Sequence, residues 1–451
     1  MKHFGGIMPA KIAKKLDEFS SVLDNKSLNN DNYETYYVDT LKGRGENPID
    51  RFLYQIKSDM EKNWKVLFAG FKGCGKSTEL LRLKRKLDKQ FMITIFSVQE
   101  KLDPNNFTIS ELLISITTEL LAYIHAHHDT MKLSENLEKK LINWSEKTVK
   151  EEISYNYAER HTGAGVDISA GLGKILNFFA KLSFDFQSGR KFTEISSIET
   201  ERTLSDLILH CNLIVDEIKS LLHTVNKNNL IIIVDDLEKV NPVLTEKLFF
   251  NYSKQLTSIA CNLIFTFPIS LVFNPKYNII INEFDERMIL PMIKVHDKEW
   301  KDYENGIDNI MTLLYKRIDE SRNLISKDIL KEFIRMSGGS LRDLFRMLNL
   351  AAYNALVNNR KIIEMEDYNY SAMQLQNDYY NSISYNEETG ITPQEYYDLL
   401  VKCHKDKEKK PMNDRGMLDL RYNMCVLGYN SQNWYDVHPA VRAILLEKKM
   451  I

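Results

Sequence analysis

The sequence predicts an α/β fold: a largely parallel sheet with helices on both faces, then a helical lid and a C-terminal winged helix. Three features of the chain predict it. Short apolar runs that read as strands alternate with longer stretches that read as helices. The stretch GFKGCGKST, starting at Gly70, directly follows the apolar run WKVLFA. A second run, IIIVDDLE at 231–238, ends in adjacent carboxylates. Strands buried on both faces and separated by helices build a parallel sheet.

Composition sets the bounds. A chain of 451 residues is long enough for about two or three domains with their own cores. Apolar residues make up 43% and charged residues 27%, as in ordinary globular proteins. The net charge of −2 excludes a bulk polycation, so contact with nucleic acid would need a local basic face. Cys74, Cys211, Cys261, Cys403 and Cys425 contain no CxxC pair. This is no secreted disulfide framework, and a reducing cytoplasm is expected. The N-terminus lacks the apolar core of a signal peptide. No run reaches the roughly 18 apolar residues of a membrane span, so no stable membrane insertion is expected.

Taken in order, Ile12, Leu16, Phe19 and Val22 share one face of a short helix over 8–25. After an Asn-rich gap, YETYYVD reads as extended and GRGENP at 43–48 as a turn. Pro48 suits a helix start, and IDRFLYQIKSDM follows it. KVLFAG at 65–70 is a strand, KSTELLRLKRKLDK a helix and FMITIFSV at 91–98 a second strand. FTISELLISITTELLAYIHAH is a long, mostly apolar helix. Residues 131–160 read as a charged helical stretch with Leu133, Leu137, Leu141 and Trp144 on its apolar side. Residues 162–189 turn glycine-rich and then apolar, as a hairpin or a packed short helix.

From 193 to 226 the chain reads as helix, with Leu204, Leu207, Cys211, Ile214, Ile218 and Leu221 on one face. NLIIIVDDLEKV carries the third strand, CNLIFTFP the fourth and ILPMIKV at 289–295 the fifth, with EKLFFNYSKQLTSIA a helix between the third and fourth. Three helices fill 303–356. Polar connectors with a tyrosine cluster occupy 358–390. From Thr392 on, two helices around a basic stretch precede VLGYN and WYDV, the pattern of a winged helix. The expected division is an N-terminal segment at 1–50, a core at 51–300 with an insertion near 130–200, a lid at 301–360, a connector at 361–390 and a winged module at 391–451.

Gly70, Gly75, Lys76 and Ser77 match G-x-x-x-x-G-K-[ST], the phosphate loop of nucleotide-binding proteins, and Gly73 adds a third glycine. Glycines let the backbone wrap closely and turn N–H groups toward phosphate oxygens. Gly70, Gly73, Cys74, Gly75, Lys76, Ser77 and Thr78 are therefore the expected ATP cradle. Lys76 would reach the β and γ phosphates, and the Ser77 hydroxyl would bind magnesium. The helix that follows offers its positive end to the phosphates.

Asp235 would hold the magnesium through water, and Asp236 would take or orient the attacking water. Glu238 ranks behind Asp236 for that role. The alternative is that the two aspartates merely cap a turn. Thr266, on the fourth strand, would either face the γ-phosphate or the attacking water, or simply end the strand. Arg287 would reach a phosphate across a subunit boundary, or else serve a surface ion pair. In SGGSLRDL, Gly338 and Gly339 break the chain and Ser340 caps a helix. Arg342 then sits in the first turn, where a cation is unfavourable. A bound phosphate would explain it; pairing with Asp343 or another acid is the alternative. His125, His127 and His128 match no metal-ligand spacing.

Together the phosphate loop, the Asp-Asp strand end and the GGSLRDL helix start resemble the AAA+-like ATPases of the signal-transduction, or STAND, class and their replication-initiator relatives. GFKGCGKST and IIIVDDLE look like that class's Walker A and Walker B motifs, and Arg342 like its sensor-2 arginine. EYYDLLVKC through WYDVHPAV looks like its winged helix. The resemblance spans 45–350 well and 390–445 weakly. It implies an ATP switch for oligomerisation, of a kind found in bacterial signalling and antiphage defence. The chain departs from the class in three ways. No repeat array follows the winged module, no effector precedes residue 50, and the fourth strand ends in FTFP without an arginine. A separate sensor or effector protein is the expected partner, and closure of the site would rest on Arg342 and Arg287.

The leading expectation is a magnesium-dependent ATPase switch with slow hydrolysis that forms homo-oligomers on ATP binding. One alternative is a DNA-acting ATPase, in which Lys402, Lys405, Lys407, Lys409 and Lys410 would contact phosphates. Asp406 and Glu408 dilute that cluster. Another is a nucleotide-binding structural protein without turnover.

Overall fold

The computed structural model describes residues 11–128, 131, 133–137, 139–141, 197–387, 389–407, 415–429 and 434–451. Most of the expected insertion, including Trp144 and GLGKILNFFAKL, lies outside the described residues. So do Glu388, Glu408, Lys409 and Lys410.

The core is a five-stranded parallel sheet. Its strands are β1 (Lys65–Gly70), β2 (Phe91–Ser97), β3 (Asn229–Asp235), β4 (Asn262–Pro268) and β5 (Glu286–Leu290), in the order β2-β3-β4-β1-β5. Each of β1, β3 and β4 is buried along its whole length, as two helical layers require. This order puts β4 between the phosphate-loop strand and the carboxylate strand. All five strands point the same way, so their C-terminal ends share one edge of the sheet, where ligands of open α/β sheets bind.

Helix α1 (Pro48–Ser58) starts with Pro48 at its first position, and the Asn47 side chain accepts a hydrogen bond from Ile49 N–H. Helix α2 (Lys76–Leu87) leaves the phosphate loop directly. Helix α3 (Ile109–His127) opens with a Thr108–Glu111 capping box. By length and composition α3 could cross a membrane, but 56% of that window is buried. It packs on β2, β3 and the long helix α4 (Ser197–Leu221), which makes it a core helix. Leu133, Leu137 and Leu141 are buried, as their spacing predicts. So are Leu204, Leu207, Cys211, Ile214 and Ile218 of α4.

Helix α5 (Pro242–Asn251) joins β3 to β4. Beyond β5 the lid comprises α6 (Glu304–Tyr315), α7 (Lys327–Met336) and α8 (Leu341–Val357). Helix α9 (Met365–Ser382) follows. The C-terminal part holds α10 (Pro393–Lys405), α11 (Arg415–Tyr422), the antiparallel hairpin β6 (Val426–Tyr429) and β7 (Trp434–Val437), and α12 (Pro439–Glu447). This is the predicted helix-and-hairpin pattern of a winged helix.

Four local expectations are corrected. Within 11–25 only Leu16–Glu18 and Phe19–Val22 are helical. Ala13 instead exchanges main-chain hydrogen bonds with Arg317 and Asp319, which holds it extended. Tyr33–Tyr36 is a helical turn rather than an extended piece, and Tyr33 stacks on Tyr37 one turn away, with ring centroids 4.6 Å apart. The fifth strand begins earlier and stops at Leu290, because Pro291 has no N–H to continue the ladder. The polar 361–390 stretch contains the 18-residue α9. Of its five buried residues, Asp367, Ser371, Leu375 and Tyr379 recur every four positions and Ala372 flanks them, a helical stripe that its polar composition hid.

Candidate nucleotide site

The loop between β1 and α2 has the shape that its glycines permit. Gly73 lies in the left-handed region at φ 76°. A Cβ there would sit 2.9 Å from the Arg342 Cβ and 3.0 Å from the Ser340 Oγ. The Gly73 carbonyl also accepts a hydrogen bond from Leu341 N–H at 3.3 Å. The lid helix α8 therefore starts against the phosphate loop. Its first turn is capped by Ser340, whose Oγ accepts from Asp343 N–H at 3.4 Å.

Lys76 is buried at the start of α2. Its ammonium donates to Gly70 O and Phe71 O, each at 3.1 Å, and lies 3.0 Å from Glu238 Oε1. Burial works against the charge, but the Glu238 carboxylate prevails and holds Lys76 above its ordinary pKa. Glu238 is held below the usual carboxylate range although burial pushes it up. The Lys76 ammonium and a Thr266 hydrogen bond are among the groups that outweigh burial.

Asp235, Asp236 and Glu238 each place a carboxylate oxygen within 4.8 Å of the others. Burial, then Glu238 and Asp236, push Asp235 up to about 7, with a Ser77 hydrogen bond opposing. The set fits a divalent cation beside Ser77. Like charges crowd one buried point, and Glu238 Oε2 is buried and accepts no hydrogen bond.

Because its folded pKa is raised, Asp235 keeps a proton in the folded protein where the unfolded chain has already lost it. Its contribution to stability therefore falls as pH rises from about 4 to about 7. Asp235→Asn is expected to remove that fall. Without divalent cations it should melt above the wild type at pH 8 and lose this advantage near pH 4, as thermal melts across pH would show.

The aspartates and Glu238 face different neighbours. Asp236 adopts φ 70°. Its Oδ2 accepts from Ser97 Oγ on β2 at 2.6 Å, and its Oδ1 lies 2.5 Å from Lys239 Nζ. Glu238 faces the other way, toward Lys76. Thr266 is fully buried, and its Oγ1 accepts from Leu237 N–H at 3.0 Å, pinning the turn that presents both acids.

Arg342 lies beside the loop and makes no ion pair among the described residues. Asp343, its sequence neighbour, is engaged elsewhere: it accepts from Tyr379 O–H at 3.1 Å and lies 3.6 Å from His438 Nε2. Cys74 is buried, while Ser77 and Thr78 are half-buried in the first turn of α2. Arg287 is not brought to this site. It is exposed on edge strand β5, level with Leu67, and bonds Tyr277.

Sequence reasoning missed two features. The first is Arg44, read as part of a turn. It is fully buried; it donates to Thr40 Oγ1 at 2.8 Å, to Cys74 O at 2.6 Å and to Pro291 O. It thereby ties the phosphate loop to the end of β5. Its only sequence signal is an arginine between two glycines. The second is contact between the phosphate-loop tip and the winged module. Lys72 Nζ sits 3.6 Å from the centre of the Tyr422 ring. Burial, then Arg342, pull the Lys72 ammonium down to about 8. Phe71 packs so closely on β6 that a Cβ at Gly428 would lie 3.1 Å from its ring.

The module also grips the lid hinge. Tyr429 O–H donates to Gly338 O at 3.2 Å, and Met292 N–H to Gly428 O at 3.3 Å. His438 accepts from Ala440 N–H at Nδ1, leaving Nε2–H to donate to Ser337 O at 3.1 Å. Of the basic cluster, Lys407 is committed to Asp436 at 2.7 Å and to Lys298 O, whereas Lys402 and Lys405 are exposed.

No family model and no curated protein matches the chain. Among solved structures it is similar to Cdc6p of Pyrobaculum aerophilum, at 12% identity and TM-score 0.38, covering 96% of this chain and 99% of that one. It is similar to the ADP form of the Aeropyrum pernix ORC2 protein at 10% identity and TM-score 0.39, covering 96% and 97%. It is similar to the Thermotoga maritima RuvB Holliday junction branch migration motor at 11% identity and TM-score 0.34, covering 97% of each. At these values the likeness carries no argument about this chain. The P-loop layout is plain in the chain itself: a parallel sheet with the phosphate loop after β1, three lid helices beyond β5 and a C-terminal helix-and-hairpin region.

Proposed function

We propose that this chain is a magnesium-dependent, slowly hydrolysing ATP switch of the STAND type, whose nucleotide state sets how the lid and winged module sit on the core. The observation that carries this reading is the packing of both modules on the phosphate loop, through Leu341 to Gly73 and through Lys72 to Tyr422. A change in the loop is thereby felt by both at once.

In this reading Gly70, Gly73, Cys74, Gly75 and Thr78 shape the cradle, and Lys76 holds the phosphates. Ser77 and Asp235 hold the metal, which when bound would neutralise phosphate charge. Asp236 orients the attacking water. Arg342 reaches the phosphates from the lid, and Arg287, exposed on the edge strand, serves a neighbouring subunit. A slow turnover fits a site to which the described residues bring no arginine finger. A cytoplasmic place agrees with five buried free thiols. A role in signalling or antiphage defence, with a separate sensor or effector, rests on the sequence resemblance.

The test is analytical ultracentrifugation without nucleotide, with ADP, and with a non-hydrolysable ATP analogue plus magnesium. Larger species with the analogue alone are expected; an unchanged mass in all three would remove assembly from the proposal. The DNA reading is supported by exposed Lys402 and Lys405 at the end of α10. It requires duplex binding that weakens steeply with salt and that falls when both lysines become glutamine.

A further inference from the structure

We infer that Glu238 is the group a bound phosphate displaces from Lys76, so that it acts as a built-in counter-ion setting nucleotide affinity. The inference rests on the nucleotide-site reading above. A lysine ammonium has three donors, and here three acceptors take them: Gly70 O, Phe71 O and Glu238 Oε1. A phosphate oxygen that reaches Lys76 must replace one of them. The two carbonyls belong to the end of β1 and the loop itself, and cannot leave without unwinding the cradle. Glu238 is a side chain, and its negative charge repels the incoming phosphate.

The energetic consequence follows from burial. Lys76 and Glu238 side chains are 3% and 6% exposed. A buried ammonium without a counter-charge is costly. Glu238 supplies that charge in the free protein, and phosphate supplies it in the complex. Each nucleotide that binds must therefore first break an ion pair, which lowers its affinity. Glu238 is thus a positioning residue that acts through Lys76.

The experiment titrates a fluorescent ATP analogue into the full chain, wild type and Glu238→Gln, in EDTA and in magnesium, and records melts with and without saturating ATP. Glu238→Gln is expected to melt below the wild type alone, to gain more from ATP, and to bind the analogue about tenfold more tightly even in EDTA. Equal or weaker binding, with an equal thermal gain, overturns the inference. If Glu238→Gln is recovered unfolded, Glu238→Asp draws the charge back by one methylene. Tighter binding is then expected, and unchanged binding overturns it. Lys76→Ala separates the two levels: if it binds ATP as tightly as the wild type, the phosphate is not at Lys76 and the site reading itself fails.

Discussion

Lys76→Ala is expected to lower ATP turnover by at least about a hundredfold, as loss of a preorganised phosphate donor does, and to destabilise the fold as well. The second effect distinguishes this site from an exposed loop lysine. The truncation leaves the Glu238 carboxylate buried, 6% exposed and 3.0 Å from where its partner stood. Breaking a buried pair from one side costs about 3–5 kcal/mol. Replacing both members with apolar residues of similar length removes the stranded charge. The double variant Lys76→Met with Glu238→Met should therefore recover most of the lost stability and none of the turnover. Thermal melts and phosphate release on the three proteins decide it. Undiminished hydrolysis in Lys76→Ala would sink the site assignment. A double variant no more stable than Lys76→Ala would show that the ion pair is not what the single change disturbs.

Gly339→Ala should be among the most damaging small changes in the lid. Gly339 has φ 85°, and an added Cβ would lie 1.9 Å from Ile293 O and 3.0 Å from Ile293 C. Those atoms are backbone and cannot rotate aside. Ile293 adjoins Met292, whose N–H bonds Gly428 O of the winged module. The clash therefore falls where core, lid and winged module meet. Left-handed strain and overpacking together predict a loss of about 2–5 kcal/mol. Turnover should fall with it, because α8 carries Arg342. Gly390→Ala is the control. Gly390 also has positive φ, at 71°, but an added Cβ meets nothing within 4 Å. It should cost about 1–2 kcal/mol from backbone strain alone and leave turnover near the wild-type level. Similar melting losses for the two would mean that contact with Ile293 is not what matters.

The parts of this protein that were legible in the sequence are those written within a few residues of one another. The phosphate loop needs its glycines, Lys76 and Ser77 in one turn between a strand and a helix. Asp235 and Asp236 end an apolar run. Pro48, Ser340 and the Thr108–Glu111 pair mark helix starts through bonds that span at most three positions. Where such marks are diluted, the structure departs from the local pattern. The polar composition of α9 concealed a stripe of four buried residues, and Ala13 was drawn into a bridge with residues some 300 positions away.

By itself, the sequence determined the parallel sheet, the loop and the acids, because apolar period, turn chemistry and caps act locally. Only the tertiary structure decided which acid meets Lys76. The sheet order sends Asp236 toward Ser97 on β2 and Glu238 toward the phosphate loop. It also decided that Arg44 buttresses that loop and that Phe71 and Lys72 touch the winged module. These are contacts between segments 30 to several hundred residues apart. They are chosen by how strands and modules pack, and no local pattern of residues encodes that choice.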